Sequence, residues 1–270
     1  MKLLIISENS LERFEDYFEE VDRARIDEVA PEVRDRGNDI KIEGESIRKY
    51  DCVYTEIPGK NAVFGRVLLE MIEDERIPVN HSSTGFFVSA KKNYLYYTLH
   101  EQNIPAAKTA IFSTEKASRS IEKQLKGPVV GRKFENLEEV ENRKIDTVDS
   151  ISEFVEGAEY QEDLFIFHEH RPGDKIKCLV IEDQVIGLRD DSEGWRFKDK
   201  NLKYSNISDR KEEIVKTTAK KIGAPMAEVM LRGDKVYDVN PNPDLERYTQ
   251  LSGKNAFEAA AEMLKQEASK

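Results

Sequence analysis

Apolar residues run unbroken through KLLIIS (Lys2–Ser7), a stretch of strand length, and then fall at helical spacing in SLERFEDYFEEVD. YDCVYTEI (Tyr50–Ile57) reads as a second strand, NAVFGRVLLEMIEDE as a helix, and IPVNHS (Ile77–Ser82) as a third strand. Strands alternating with helices predict a small parallel α/β unit over about the first 85 residues. From Ser89 the pattern changes. SAKKNYLYYTLHEQNIP predicts a helix ending before Pro105, AKTAIF a strand, and TEKASRSIEKQL a helix with Thr114 as its N-cap. GPVVGRKF is a strand followed by a polar stretch, then SISEFVEG and the strand AEYQEDLFIF. DKIKCLVIEDQVIGLRD reads as two strands turning at Glu182-Asp183, followed by a charged loop around Trp195. The helix DRKEEIVKTTAKKIG, the strands AEVML and VYDVN, and a last helix from about Asn255 complete the chain.

Charge and composition narrow the function classes. The 270 residues are long enough for one large domain or two to three small units, and carry no internal repeat. A formal net charge of -11 argues against coating nucleic acid or an anionic membrane. Cys52 and Cys178 lie in apolar strand-like runs with no Cys-x-x-Cys pair, which predicts no disulfide and fits a reducing compartment. MKLLIISENS lacks the pattern of a signal peptide, and no apolar run approaches the length of a membrane span; the expected location is cytoplasmic.

The stretch AEVMLRGDKVYDVNPNP carries the most chemistry. Asp238 and Asn240, two apart on a strand, share a face. Whether Glu228 joins them depends on the loop. A two- or four-residue loop centred on Gly233-Asp234 would pair Glu228 with Val239, on the wrong face. A three-residue loop, Arg232-Gly233-Asp234, would pair it with Asp238, and this is the expectation adopted. Three hard oxygen donors on one face suit Mg²⁺ held together with nucleotide phosphates. The plain alternative is a hairpin whose polar face is merely wet. His168 and His170 alternate in FHEHRPGD, but no Cys or carboxylate at ligand spacing accompanies them, so they read as a loop edge. Trp195 reads as a packing residue. His81 and His100 have no evident partner.

Taken in order, these segments resemble the RimK-type ATP-grasp ligases of the glutathione synthetase-like ATP-grasp superfamily. IPVNHSSTGFFVSAKKNYLYYTLHEQNIPAAKT resembles the family's strand, Lys-bearing helix and Ile-Pro turn. PVVGRKF resembles the strand with the nucleotide-contacting base, and AEYQEDL the hinge strand at adenine. GDKIKCLVIEDQVIGLRD, GWRFK and VYDVNPNPDLERYTQLSG resemble the Asp-x-Arg strand pair, the basic loop and the Glu-x-Asn metal strand. The resemblance implies an α/β (α+β) ATP-grasp fold behind a small parallel α/β pre-ATP-grasp domain at 1–88. The ATP-grasp domain would occupy 89–270, with a lid subdomain at about 106–162 and a C-terminal subdomain at about 163–270.

It also implies roles. Lys92 and one of Arg132 or Lys133 would contact ATP. These two neighbours face opposite ways on a strand, and spacing favours Arg132. Gln161, Glu162, Asp163 and Leu164 would line the adenine and ribose edge. Lys177 and Arg189 would face the triphosphate and the developing acyl phosphate, and Arg196 the phosphate or acid substrate. Glu228, Asp238 and Asn240 would hold Mg²⁺, with Mn²⁺ as a substitute. The plain readings are a solvated Lys92, and Arg189 and Arg196 neutralising Asp190, Asp191 and Glu193. The implied activity is ATP-dependent joining of an amino acid, glutamate among the candidates, to a carboxylate of a small molecule, peptide or protein tail. Neither nucleic acid nor membrane is an expected partner; a homo-oligomer is compatible.

Two departures from the family bear on that activity. The family's Gly-rich phosphate loop is replaced by RKFENLEEVENRKIDTVDS, with no glycine between Gly131 and Gly157 and with Glu135, Glu138, Glu139 and Glu141 in its place. Without glycine the backbone cannot readily form the positive-φ turns of a phosphate nest. Either the 134–148 loop closes differently, with Arg143 and Lys144 reaching in, or nucleotide binding is weakened or lost. A non-catalytic, nucleotide- or partner-binding domain is the resulting alternative. The metal-strand Glu is also shortened to Asp238, which changes reach more than chemistry.

Overall fold

KLLII forms β1 (Lys2–Ile6), buried from Leu3 onward and flanked in parallel by β2 (Glu20–Ala24) and β6 (Cys52–Thr55). The computed structural model describes all residues except 34, 36, 114–120, 122–124, 126, 136–137 and 156–162. The third expected strand, at 77–82, reduces to a single parallel bridge between Val53 and Val79.

The helix expected after β1 does not form. A 3₁₀ turn at Glu12–Asp16, entered through Leu11 at φ 47°, drives Phe14 into the core, and the chain then straightens into β2. Phe14 meets Tyr54 at 4.7 Å and Phe257 at 5.2 Å between ring centroids. The helical spacing of Phe14 and Phe18 therefore reports two anchors in one core, not a continuous helix. A small antiparallel sheet of β3 (Val29–Glu32), β4 (Asp39–Ile42) and β5 (Glu45–Ser46), absent from the sequence reading, follows. Its second turn puts Glu43 and Gly44 at φ 50° and 85°, the handedness a two-residue hairpin requires.

Helix α1 (Ala62–Asp74) packs Leu68, Leu69 and Ile72 inward. The single helix expected from Ser89 is two: α2 (Ser83–Ala90) and α3 (Lys92–Glu101), separated by an extended Lys91. Ser82 caps α2, accepting from the Gly85 amide at 2.9 Å and donating to the Gly223 carbonyl.

With the small β3–β5 sheet set aside, the second sheet is antiparallel and has the order β7 (Thr109–Phe112), β10 (Asp163–Glu169), β8 (Val129–Glu135), β9 (Glu138–Ile145). Helix α4 (Val148–Val155) covers it with Ile151, Phe154 and Val155. The stretch read as merely polar is β9. An edge strand paired on one side needs no apolar alternation, so the pattern gave no sign of it. The helix expected over TEKASRSIEKQL lies almost wholly outside the described residues.

The third sheet, all antiparallel, runs β13 (Leu202–Tyr204), β12 (Gln184–Asp190), β11 (Lys175–Ile181), β14 (Met226–Arg232), β15 (Lys235–Asn240). The β11–β12 turn falls at Glu182-Asp183, as expected. Ile176, Cys178 and Val180 on one face pack with α3 and with α5 (Asp209–Ile222). On the opposite face, Leu179 and Ile181 pack under α6 (Leu245–Ser252), α7 (Ala256–Ala268), β1 and β6. That face also carries Lys175, Lys177 and Glu228, so one end of it is oily and the other charged.

A β-carbon at Gly85 would lie 2.1 Å from the Gly223 carbonyl oxygen, where α2 meets the end of α5. Gly85→Ala is expected to destabilise the fold by about 1–3 kcal/mol, read as a lowered denaturant midpoint; an unchanged midpoint would contradict this packing.

Candidate functional site

Asp238 owes its position to a β-bulge. Arg232 pairs with Lys235 across a two-residue turn, so the expected three-residue loop is not there. Leu231 pairs with Val236 and Met230 with Asp238, leaving Tyr237 as the extra residue. The bulge reverses the parity that the short turn sets. Glu228 lies opposite Asn240 and shares a face with Asp238. The expected loop is wrong; the shared face arises by another route.

Asp238 is buried and receives two cations from different parts of the chain. Lys92 Nζ, at the start of α3, lies 2.7 Å from Oδ1, and Arg132 Nη1, on β8, lies 3.1 Å from Oδ2. A cation at a helix start opposes the helix dipole. Here the Ser89 and Val239 carbonyls, at 3.0 and 2.7 Å, complete the cradle for Lys92. Burial favours the neutral form of Asp238, but Lys92 and Arg132 outweigh it and hold the carboxyl down to about 2. Burial likewise pushes the Lys92 ammonium down, with Asp238 opposing.

Arg132 Nη1 also donates to Tyr96 Oη at 2.8 Å, and Tyr96 Oη donates to the Tyr237 carbonyl at 2.9 Å. The remaining guanidinium nitrogens go to Glu139 of β9. His168, buried on β10, meets the Tyr96 ring at 4.7 Å, tilted, and the Tyr237 ring edge-on at 5.7 Å. A second cluster lies on the same sheet face. Lys177 Nζ sits 3.3 Å from Glu228 and 2.9 Å from Asp199, Tyr248 donates to Glu228 at 2.9 Å, and Arg247 pairs with Asp199 at 2.7 Å. Between the second and third sheets, a cleft of about 590 Å³ is lined by Arg132, Glu139, Arg143, Arg196, Tyr237 and Asp238 among others.

No family model and no curated protein matches the sequence. Solved structures do match. The ATP-grasp ligase PsnB, complexed with a minimal precursor, aligns at TM-score 0.74 and 16% identity over 98% of each chain. A RimK domain ATP-grasp protein from Sphaerobacter thermophilus aligns at TM-score 0.72 and 12% identity over 97% of this chain and 99% of that one. D-alanine–D-alanine ligase from Bacillus anthracis aligns at 0.68 and 14%, over 99% and 97%. This chain has the ATP-grasp fold.

Within this ATP-grasp fold the expected site residues divide. Lys92, Arg132 and Asp238 meet directly; Lys177 meets Glu228. Lys133 points away from them and pairs with Glu135 at 2.6 Å. Arg189 is not brought to the cleft. It pairs with Ile176, whose face is opposite to that of Lys177, and its exposed side chain meets Asp191 at 3.1 Å. Arg196 lines the cleft and donates to the Asn142 carbonyl. Arg143 lines it too, whereas Lys144 pairs with Asp146 at 2.8 Å. Asp163 and Leu164 lie on β10 opposite Glu135 and Phe134; Gln161 and Glu162 lie outside the described residues.

The expected metal donors fit Mg²⁺ by chemistry: two carboxylates and an amide, all hard oxygens on one face of β14–β15. Each is engaged within the protein. Asn240 folds back on Asn242, accepting from its amide and donating to its carbonyl, both at 3.0 Å. Asn242 in turn donates to the Ile57 carbonyl at 2.8 Å, tying the Asn-Pro turn to the exit of β6. Among the described residues no three His, Cys, Asp or Glu side chains cluster as a metal site, so any ion here depends on the amide and on substrate oxygens.

Tyr96, Tyr237, Tyr248 and Asp199 are not among the residues expected from the sequence, and Glu139 is expected only as one of four acids replacing the glycine loop. Tyr96 was findable, since it stands four residues beyond Lys92 on the same helix face. That Glu139 is the acid turned onto Arg132 was not, because its direction depends on the pairing of a strand that leaves no apolar pattern.

His168 gives this site a pH signature. Its ring nitrogens have no hydrogen-bond partner among the described residues, and burial next to Arg132 pushes the imidazole down to about 3. The unfolded ring binds a proton near pH 6.5, and the folded ring does not until about 3. Stability therefore falls as pH drops below about 6.5, by about 1.4 kcal/mol per unit for this ring. His168→Phe is expected to flatten urea-derived stability between pH 6.5 and 4.5 by about that slope; an unchanged slope would contradict the buried neutral ring.

Proposed function

We propose that this protein is an ATP- and Mg²⁺-dependent carboxylate–amine ligase of RimK type, with its nucleotide site in the cleft between the second and third sheets. The carrying observation is the convergence of Lys92 and Arg132, from two separate elements, on Asp238 at the wall of that cleft. Cations held at fixed positions beside a carboxylate face are what a polyphosphate and its counter-ion require. PsnB complexed with Mg and ADP, and the Chryseobacterium gregarium RiPP-associated ligase in complex with ADP and leader and core peptides, share the fold and support this reading. The peptide complexes also favour a peptide or protein tail as one substrate here.

Lys92 and Arg132 would offset phosphate charge, Arg132 as a planar fork and Lys92 as a point charge. Lys177, buried beside Glu228, stands on the same sheet face and would meet charge developing on the γ-phosphoryl group. Glu228, Asp238 and Asn240 would hold Mg²⁺, which when bound supplies charge neutralisation on the phosphate oxygens. The substrate carboxylate takes the γ-phosphoryl group and releases ADP, and an amine then displaces phosphate from the acyl phosphate. The protein contributes positioning and preorganised charge.

A second reading, a non-catalytic nucleotide- or partner-binding domain, is favoured by one observation. Where the family has a Gly-rich loop, this chain has the β8–β9 hairpin, and Glu139 occupies Arg132.

Mg-ATP at about 100-fold over its dissociation constant is expected to raise the unfolding midpoint by about 5 °C. ADP release should then appear with one pair from a panel of carboxylates and amines. No shift at millimolar nucleotide would rule out the ligase; binding without ADP release on any pair would favour the second reading. Asp238→Asn and Asn240→Ala are each expected to weaken Mg-nucleotide binding by about tenfold. Unchanged affinity in both would make the acidic strand structural.

A further inference from the structure

Two β-bulges aim acids at one guanidinium. The first, at Tyr237, turns Asp238 toward Arg132. The second is in β9, where Lys133 pairs with Glu141 but Phe134 with Glu139, leaving Val140 as the extra residue. An unbulged β9 would set Val140 opposite Phe134 and put Glu139 on the far face. Bulged, Glu139 shares the face of Arg132 and Phe134.

The contact is built on both sides. Glu139 Oε2 accepts from Arg132 Nε and Nη2, while Oε1 accepts from Asn142 Nδ2 at 3.1 Å. Asn142 is held in turn, its carbonyl accepting from Arg196 Nη2. With Nη1 shared between Asp238 and Tyr96, every nitrogen of the buried Arg132 has a protein partner.

We propose that Glu139 is an internal competitor of nucleotide phosphate for Arg132, so that nucleotide enters only as β9 releases this contact. The inference rests on the nucleotide-site reading above. A carboxylate and a phosphate present similar anionic oxygens to a guanidinium fork, so the two cannot hold the same nitrogens together. Once displaced, Glu139 would face the incoming negative charge and must leave with its strand. β9 can do so because, among the described residues, it is the edge of its sheet and pairs with β8 alone. Arg196, strapped to Asn142, would pass that movement to the 191–198 loop at the other wall of the cleft.

Calorimetry with Mg²⁺ and a non-hydrolysable ATP analogue on the full chain tests this. Glu139→Gln is expected to bind about tenfold tighter than wild type. Glu141 lines the same cleft but pairs with Arg143 at 3.7 Å, and Glu141→Gln should change affinity by no more than about twofold. No gain in E139Q while wild type binds would overturn the competitor and leave the nucleotide site standing. An equal gain in E141Q would also overturn it, since general charge would then explain both. If neither wild type nor E139Q binds, the nucleotide-site reading fails and the competitor with it. Hydrogen exchange without nucleotide reads the contact separately: faster exchange over 138–145 in E139Q supports it, and unchanged exchange overturns it.

Discussion

The arrangement of this protein turns on the guanidinium of Arg132. It joins β8 of the second sheet to Asp238 of the third, to Tyr96 of the helix beneath, and to Glu139 of its own neighbouring strand. With Lys92, a buried and a half-buried cation meet two carboxylates, so the cluster is neutral only while all four are in place. Removing Asp238, the buried acid between the two cations, leaves their charge poorly solvated, at a cost of about 3–5 kcal/mol. That constraint fixes how the two sheets dock, and therefore the width and polarity of the cleft between them. Tyr96, Tyr237 and His168 pack rings on its buried side, away from bulk water, which strengthens the attraction there.

A site neutralised from within also shapes what can bind there. Ligand charge must replace protein charge rather than fill open space. At Arg132 a phosphate would replace a carboxylate. At Asp238 and Glu228 a divalent ion would replace ammonium and guanidinium partners, with Lys177 and Tyr248 close by to hold Glu228 in the meantime. The glycine-free hairpin fits the same logic. Its sequence has no glycine to favour a nest of backbone amides for phosphate, so side-chain cations would do more of the holding, and Arg132 and Lys92 are kept paired within the protein.

Much of this was legible in the sequence, for identifiable reasons. The β11–β12 and β14–β15 hairpins, α5 and α7 stand out because two-sided burial and capping leave strong local patterns; Gly223 at φ 75°, the last residue of the expected helix, ends α5. Lys92, Arg132 and Asp238 could be singled out by order and spacing, and the structure brings them together. What the sequence concealed depends on pairing between distant segments. The β3–β5 sheet and β9 lack long apolar runs, and the Phe14–Phe18 spacing imitates a helix because both rings reach one core. The two bulges are the deepest case. Nothing local marks Tyr237 or Val140 as extra residues, yet each reverses the face on which an acid stands. The β14–β15 turn was expected to be one residue longer, and the shared face of Glu228, Asp238 and Asn240 comes from the bulge instead. Arg189 shows the converse: order along the chain suggested it, and strand parity carries it to the wrong side.

A crystal structure of the protein with Mg²⁺ and a non-hydrolysable ATP analogue decides whether nucleotide displaces the partners of Arg132. Phosphate oxygens are expected on Arg132 and Lys92, the ion on Asp238 with Glu228 or Asn240, and Glu139 withdrawn from Arg132. A structure at saturating analogue with the Lys92–Asp238–Arg132–Glu139 cluster intact, and nucleotide absent from the cleft or bound elsewhere, would contradict this.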